Sequence, residues 1–345
     1  MKKLKVCIVG LGFAGSVHTD AYNSIPDKVK IVGVCDMNRE KAEMMSKSYD
    51  TKAYTDYREM LKKEKPDIVD VCVPHHAHAE VVVAAANAGA NVIVEKPLAP
   101  NLEDANRMIE ATKKAKVKFM VAEDQLFLPA HRMAKDLIDK GAIGKIFMAR
   151  ALSVVCDKPV EQNAWQLDPR NLGVLMDMGV HYFMALDWLV GEIESVNAMK
   201  EKVVVDLKGK EYDDNAFTIL KFKNGALGEV ALTSCAVTEQ YNRLEFYGTE
   251  GTILIDHSWE KPLMYHSTHP ETMTNGWVRP DVEHLTYPGY YPIAFGYEVK
   301  HFVDCVLKNK KPDVTGEYGR RAVNVALTAY KSAKSGKIQK VENVD

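Results

Sequence analysis

Three stretches of this 345-residue chain carry side chains whose type and spacing suit proton transfer or ligation. "EKPLAP" brings Glu95, Lys96 and Pro97 to the end of an apolar run. A lysine there is either simply solvated or, when partly desolvated beside a positive charge, pushed toward its neutral form so that it can exchange a proton near neutral pH. "MDMGVH" sets Asp177 and His181 four residues apart, so that on a helix they share one face, with Met184 and Trp188 continuing the stripe. The pair reads either as a base with its orienting carboxylate or as a polar couple satisfied inside a packed helix. "PHHAHAE" offers three imidazoles, His75, His76 and His78, without a carboxylate or cysteine at ligand spacing. No metal site is expected there; the loop is expected to flank a cofactor.

The element that would bring a cofactor to these groups is "CIVGLGFAGSVH". Gly10, Gly12 and Gly15 give the spacing G-x-G-x-x-G, which suits a tight turn from a strand into a helix whose open N–H groups receive a phosphate. The next apolar run ends at Asp36, 21 residues beyond Gly15, placed to accept both hydroxyls of an adenosine ribose. A 2'-phosphate would meet that carboxylate as like charge, so NAD is favoured over NADP, with Arg39 nearby as a counterweight. The residues expected at the cofactor are Gly10, Gly12, Phe13, Ala14, Gly15 and Asp36, and, toward the nicotinamide, Pro74, His75, His78, Glu95 and Lys96.

Strand-like runs alternating with amphipathic stretches up to about residue 122 ("LKVCIVG", "KIVGVCD", "IVDVCVP", "NVIVEKP", "KFMVAE") predict a parallel sheet. Beyond it the pattern changes. "PAHRMAKDLIDKGAIG" reads as a helix closed by Gly141, "KNG" as a hairpin turn between two alternating runs, and "LGVLMDMGVHYFMALDWLVG" as one largely buried helix. "GRRAVNVALTAYKSAKSG" is the last helix. The fold class is therefore α/β: a Rossmann dinucleotide-binding domain over 1–123 and an α+β domain with a large, mainly antiparallel sheet over 124–345.

With 46% apolar and 27% charged residues and a formal net charge of -2, the chain has no broad electrostatic reason to bind nucleic acid or anionic lipid. No run approaches the ~18 consecutive apolar residues of a membrane span, and the basic, apolar start ends in glycines without a cleavage pattern. Six cysteines without a C-x-x-C pair read as reduced thiols, so a cytoplasmic protein acting on a small molecule is expected.

In order and spacing, "VGLGFAGSVH", "CVPHHAHAEVVVAAANAGANVIVEKPLA", "GVLMDMGVHY" and "TGEYGRRAVNVALTAYKSAKSGK" resemble the Gfo/Idh/MocA oxidoreductases over nearly the whole chain. The resemblance implies Lys96, Asp177 and His181 as the catalytic set, a cis peptide before Pro97, and a second domain that mediates homo-oligomers (dimer, tetramer or higher). It implies an NAD-dependent dehydrogenase acting on a secondary hydroxyl of a sugar, glycoside or cyclitol. Two other activities on the same scaffold are a glycosidase that recycles bound NAD through transient oxidation and a non-enzymatic sugar or NAD sensor.

The chain departs from the family where the substrate lies. Asp124 stands where many members have Asn, Leu126 where they have Arg, His75 where they have Asn, and Trp165 is followed by Gln166 instead of Arg. Asp124, Trp165, Asp177 and His181 are the expected substrate residues. Eight aromatic residues between His257 and Tyr297, in a stretch read largely as loop, suggest either an oligomer contact or a platform for a sugar ring and its aglycone. The platform reading favours a glucoside-type ring, oxidised at the 3-hydroxyl.

Overall fold

The structure, a computed structural model, describes residues 3–156, 168–203, 212–238, 240–286 and 288–343. They form two units, Met1–Asp124 with Ala294–Arg321, and Gln125–Ile293 with Ala322–Asp345.

In the first unit β1 (Leu4–Val9), α1 (Phe13–Asn23), β2 (Val29–Cys35), α2 (Arg39–Ser48), β3 (Ala53–Tyr54), α3 (Tyr57–Glu64), β4 (Ile68–Val71), α4 (His78–Asn87), β5 (Asn91–Glu95), α5 (Leu102–Ala115) and β6 (Phe119–Ala122) follow one another; the expected apolar runs form every strand but β3, a two-residue edge strand that no run announces. The strands pair in parallel in the order β3-β2-β1-β4-β5-β6. Strands buried on both faces need apolar residues at successive positions, and Val6, Cys7 and Ile8 of β1 and Val92, Ile93 and Val94 of β5 are all fully buried. The order reverses between β1 and β4, which opens a crevice at the strands' carboxyl ends.

The second unit contains α6 (Pro129–Asp139), β7 (Ile146–Val154), α7 (Val174–Asp177), α8 (Gly179–Leu189), β8 (Ile193–Glu201), β9 (Asn215–Phe222), β10 (Leu227–Thr233), β11 (Tyr241–Gly248), β12 (Gly251–Asp256) and β13 (Leu263–Ser267). Helices α9 (Tyr290–Leu307) and α10 (Gly316–Ser335) straddle the division, and β14 (Gln339–Lys340) completes an eight-stranded sheet in the order β13-β12-β11-β7-β10-β9-β8-β14. Only β7 and β10 run parallel; the other neighbours are antiparallel. Alternation along β9 turns Ala216, Leu220 and Phe222 inward and leaves Phe217, Ile219 and Lys221 exposed.

Two elements differ from expectation. The buried helix expected through Asp177 and His181 is broken at Met178, where His181 N donates to Met178 O, three residues back, and α8 starts afresh at Gly179. A Cβ at Gly179 would approach Phe183 to 3.2 Å, so this tight start favours glycine. The second difference is that residues 294–321 return to the first unit. Val121 N donates to Val314 O, a Cβ at Gly319 would lie 2.7 Å from Val121, and Lys28 pairs with Asp304 at 2.6 Å.

Candidate active site

The glycine turn is built as its spacing requires. Gly10 has φ +92, and a Cβ there would lie 2.3 Å from Cys72 O; one at Gly15 would lie 2.0 Å from Gly10 O. These two glycines let strand, turn and helix pack closely. Gly12 is different: it is the N-cap of α1, and a Cβ there would meet nothing within 4 Å. The space and the uncapped helix start suit a pyrophosphate. Asp36 faces the same turn. Its Oδ2 accepts from Leu11 N at 2.9 Å and its Oδ1 from Asn38 N at 2.8 Å, which fixes the carboxylate while leaving each oxygen a lone pair for a ribose hydroxyl.

At the end of β5, Glu95 Oε2 accepts from Lys96 N at 3.0 Å, and the Lys96–Pro97 peptide is cis. His78 is fully buried beneath this turn, with Nδ1 3.1 Å from Pro97 O and 3.2 Å from Leu98 O, and Nε2 2.9 Å from Val73 O. Burial lowers its pKa, the carbonyl contacts opposing. Each ring nitrogen of His78 lies against backbone carbonyls, so the buried ring joins the turn at Val73–Pro74 to the one at Pro97–Leu98. His75 starts a 3-10 turn after Pro74 and is nearly buried, its ring edge-on to His78 at 5.9 Å.

In the second unit, Asp177 closes α7 and His181 lies in the first turn of α8. A residue without a sequence signal holds this segment: Asp213 O accepts from Val174 N at 2.9 Å, Asp213 Oδ2 accepts from Leu175 N at 3.0 Å, and Tyr330 OH donates to Asp213 Oδ1 at 3.0 Å. Gly173 N in turn donates to Tyr330 OH at 3.0 Å, and Gly173 has no room for a Cβ, which would sit 2.4 Å from Asp213 Oδ1.

Of the expected substrate residues, Asp124 is buried and opens a 3-10 turn at the end of the first unit's main segment, whereas Trp165 lies outside the described residues. The aromatic stretch is less of a loop than its prolines and glycines suggest. Tyr290, Tyr291, Phe295 and Tyr297 lie on α9, with Tyr290 and Phe295 buried. Arg243 and Arg279 each lie over the Trp259 ring, at 5.6 and 4.9 Å from its centroid, and Trp277 is exposed; Tyr287 lies outside the described residues.

A parallel sheet whose order reverses beside a glycine turn, with an acid at the end of β2 presented to that turn, is the build of an NAD-type dinucleotide-binding domain. The family model described as "Oxidoreductase family, NAD-binding Rossmann fold" matches residues 4–123, and the GFO/IDH/MocA C-terminal domain matches residues 131–254. The chain belongs to the Gfo/Idh/MocA oxidoreductases. It is 30% identical over 99% of its length to myo-inositol 2-dehydrogenase of Thermotoga maritima, of which it covers 99%. It is also 30% identical to levoglucosan dehydrogenase of Pseudarthrobacter phenanthrenivorans over 74% of each chain. A solved levoglucosan dehydrogenase in complex with NADH and levoglucosan superposes with a TM-score of 0.89 at 25% identity, covering 99% of this chain and 100% of that one.

Proposed function

We propose that the protein oxidises a secondary hydroxyl of a sugar, glycoside or cyclitol. The observation that carries this reading is the Glu95–Lys96 turn at the carboxyl end of β5, held from below by His78, in a chain with the glycine turn and oriented Asp36 of an NAD site. The inositol and levoglucosan dehydrogenases among its relatives supply the substrate class. NAD, held by the Gly10–Gly15 turn and Asp36, would supply the hydride acceptor for such an oxidation; the proton is the protein's task. His181 takes it from the hydroxyl, Asp177 orients that imidazole and binds the substrate, and the Lys96 ammonium polarises the oxygen. Lys96 and His181 can exchange these roles.

Within this class the favoured substrate is a glucoside-type ring oxidised at the 3-hydroxyl. Support comes from Leu126, which replaces a cation with an apolar side chain, and from the aromatic residues around Trp259 and Trp277. A panel of free sugars, inositols and aryl glycosides, assayed for a keto product by mass spectrometry, tests it. Keto-glucoside formation is the expected result; turnover confined to inositols would move the assignment to cyclitols. We also assign the protein to a homo-oligomer built on the exposed face of the eight-stranded sheet, where Phe217, Ile219, Met199 and Leu227 form an apolar patch.

A further inference from the structure

His18, the last residue of the glycine-turn stretch, is fully buried on α1 and lies among acids. Its Nδ1 is 2.7 Å from Asp70 Oδ2, while Asp70 Oδ1 accepts from Cys72 Sγ at 3.1 Å. Its Nε2 faces Glu95 Oε1 at 3.2 Å and Glu298 Oε2 at 3.6 Å, and the Phe295 ring closes the site at 5.1 Å. Asp70 and Glu298 are wholly buried, and the Glu95 side chain is 12% exposed.

One imidazolium cannot balance three carboxylates of which two are wholly buried, where each uncompensated buried ion costs several kcal/mol. The geometry shows which acid keeps its proton. Asp70 has His18 and Cys72 as donors, and Glu95 has Lys96 N and partial access to solvent. Neither oxygen of Glu298 has a hydrogen-bond partner, and it is the acid farthest from the imidazole.

We propose that Glu298 is a neutral carboxylic acid which, with the His18 imidazolium anchored on Asp70, positions the Glu95 carboxylate and thereby the adjoining Lys96. Glu298 is a positioning residue, supplied by the late helix α9 to the end of β5. This rests on the assignment of the Glu95–Lys96 turn to the cofactor and substrate site.

The electrostatics agree. Burial raises the Glu298 carboxyl well above its ordinary value; His18 opposes the rise, and Glu95, Asp124 and Glu123 reinforce it. Burial alone would strip His18 of its proton, but the Asp70 carboxylate outweighs it and holds the ring well above the usual imidazole range. Tyr22, also buried here, is kept a phenol by burial and by Asp70, with Glu298 adding to the rise, and burial with Asp70 keeps Cys72 a thiol.

Infrared spectroscopy of the full-length protein at neutral pH should show the carbonyl stretch of a buried carboxylic acid, absent in Glu298→Gln. Its absence from the wild type would overturn the proposal without any variant having to fold. Glu298→Ala should weaken NADH binding, followed by fluorescence, and lower kcat about ten- to a hundredfold through misplacement of the turn. Glu298→Gln, which keeps a donor at that place, should restore most of both. A Gln variant as impaired as the Ala variant, or an Ala variant with normal NADH affinity and kcat, would overturn the proposal. Glu95→Gln separates the two levels: if it changes neither quantity, the cofactor reading of the turn falls and the positioning role with it, while the infrared band still decides where the proton resides.

Discussion

Asp36 shows how much of a site one side chain can set. Because Leu11 N and Asn38 N fix both of its oxygens, the carboxylate is oriented before any nucleotide arrives, and two charge-assisted hydrogen bonds to a ribose diol are each worth about 1.5–3 kcal/mol. Asp36→Ala should therefore lower NAD affinity at least tenfold and erode the preference over NADP, as measured by calorimetry with both cofactors; tighter NADP binding by the wild type would refute the assignment. Lys96→Ala, Asp177→Asn and His181→Ala should keep their circular dichroism spectra while losing about 10²- to 10⁴-fold in turnover, the usual effect of removing a positioned acid or base, and the Asp177 and His181 variants should keep their NADH affinity. A variant that retains the wild-type rate loses its catalytic role. His131 reports on pH instead. It is buried in the second unit with Nε2 3.0 Å from His257 Nε2, and burial holds its pKa down to about 4. Its unfolded imidazole binds a proton from about pH 6.5 downward that the folded one refuses, so stability is full above that pH and falls by about 3 kcal/mol as pH drops toward 4. Denaturant melts between pH 7 and 4 should show a steeper loss for the wild type than for His131→Gln.

The elements legible in the sequence are those whose cause is local. Strand runs, the glycine turn, the hairpin at Gly225 and the helix stop at Gly141 follow from period and from positive φ, and all stand where the pattern puts them. The geometry of the glycine turn and of the Asp36 carboxylate facing it was legible for the same reason: Gly10, Gly12, Gly15 and Asp36 lie within one βαβ unit. The break at Met178 was not, because apolar residues on every side of α7 and α8 leave no period to interrupt. Nor was Asp213, which lies 36 residues beyond Asp177 and acts only once the chain has folded back; the same holds for Glu298 beside His18. Asp213→Ala should cost about 1–3 kcal/mol of stability by leaving the Leu175 amide and the Tyr330 hydroxyl without their acceptor, and should lower kcat through the displaced Asp177 and His181. Thermal melts and steady-state rates check both halves; an unchanged kcat in a folded variant would separate Asp213 from the site.

At the scale of the molecule, the outward face of the eight-stranded sheet carries Phe217, Ile219, Met199 and Leu227, each more than half exposed, on neighbouring strands. Replacing Phe217 and Ile219 by glutamate should shift the protein toward monomer in sedimentation velocity; a wild type that already sediments as a 38.6 kDa species would remove the interface. The return of residues 294–321 bears on synthesis. The nucleotide-binding sheet is read off the ribosome by residue 122, yet Val314, which accepts from Val121 on its edge strand, follows about 190 residues later. At roughly 5–20 residues per second, that delay is about 10–40 s, during which the nascent sheet presents an uncovered edge, and His18 lacks Glu298. The nucleotide-binding sheet is thus completed only after most of the second unit has been made, and a stalled or truncated chain ending anywhere between residues 125 and 293 would present chaperones with an open sheet edge.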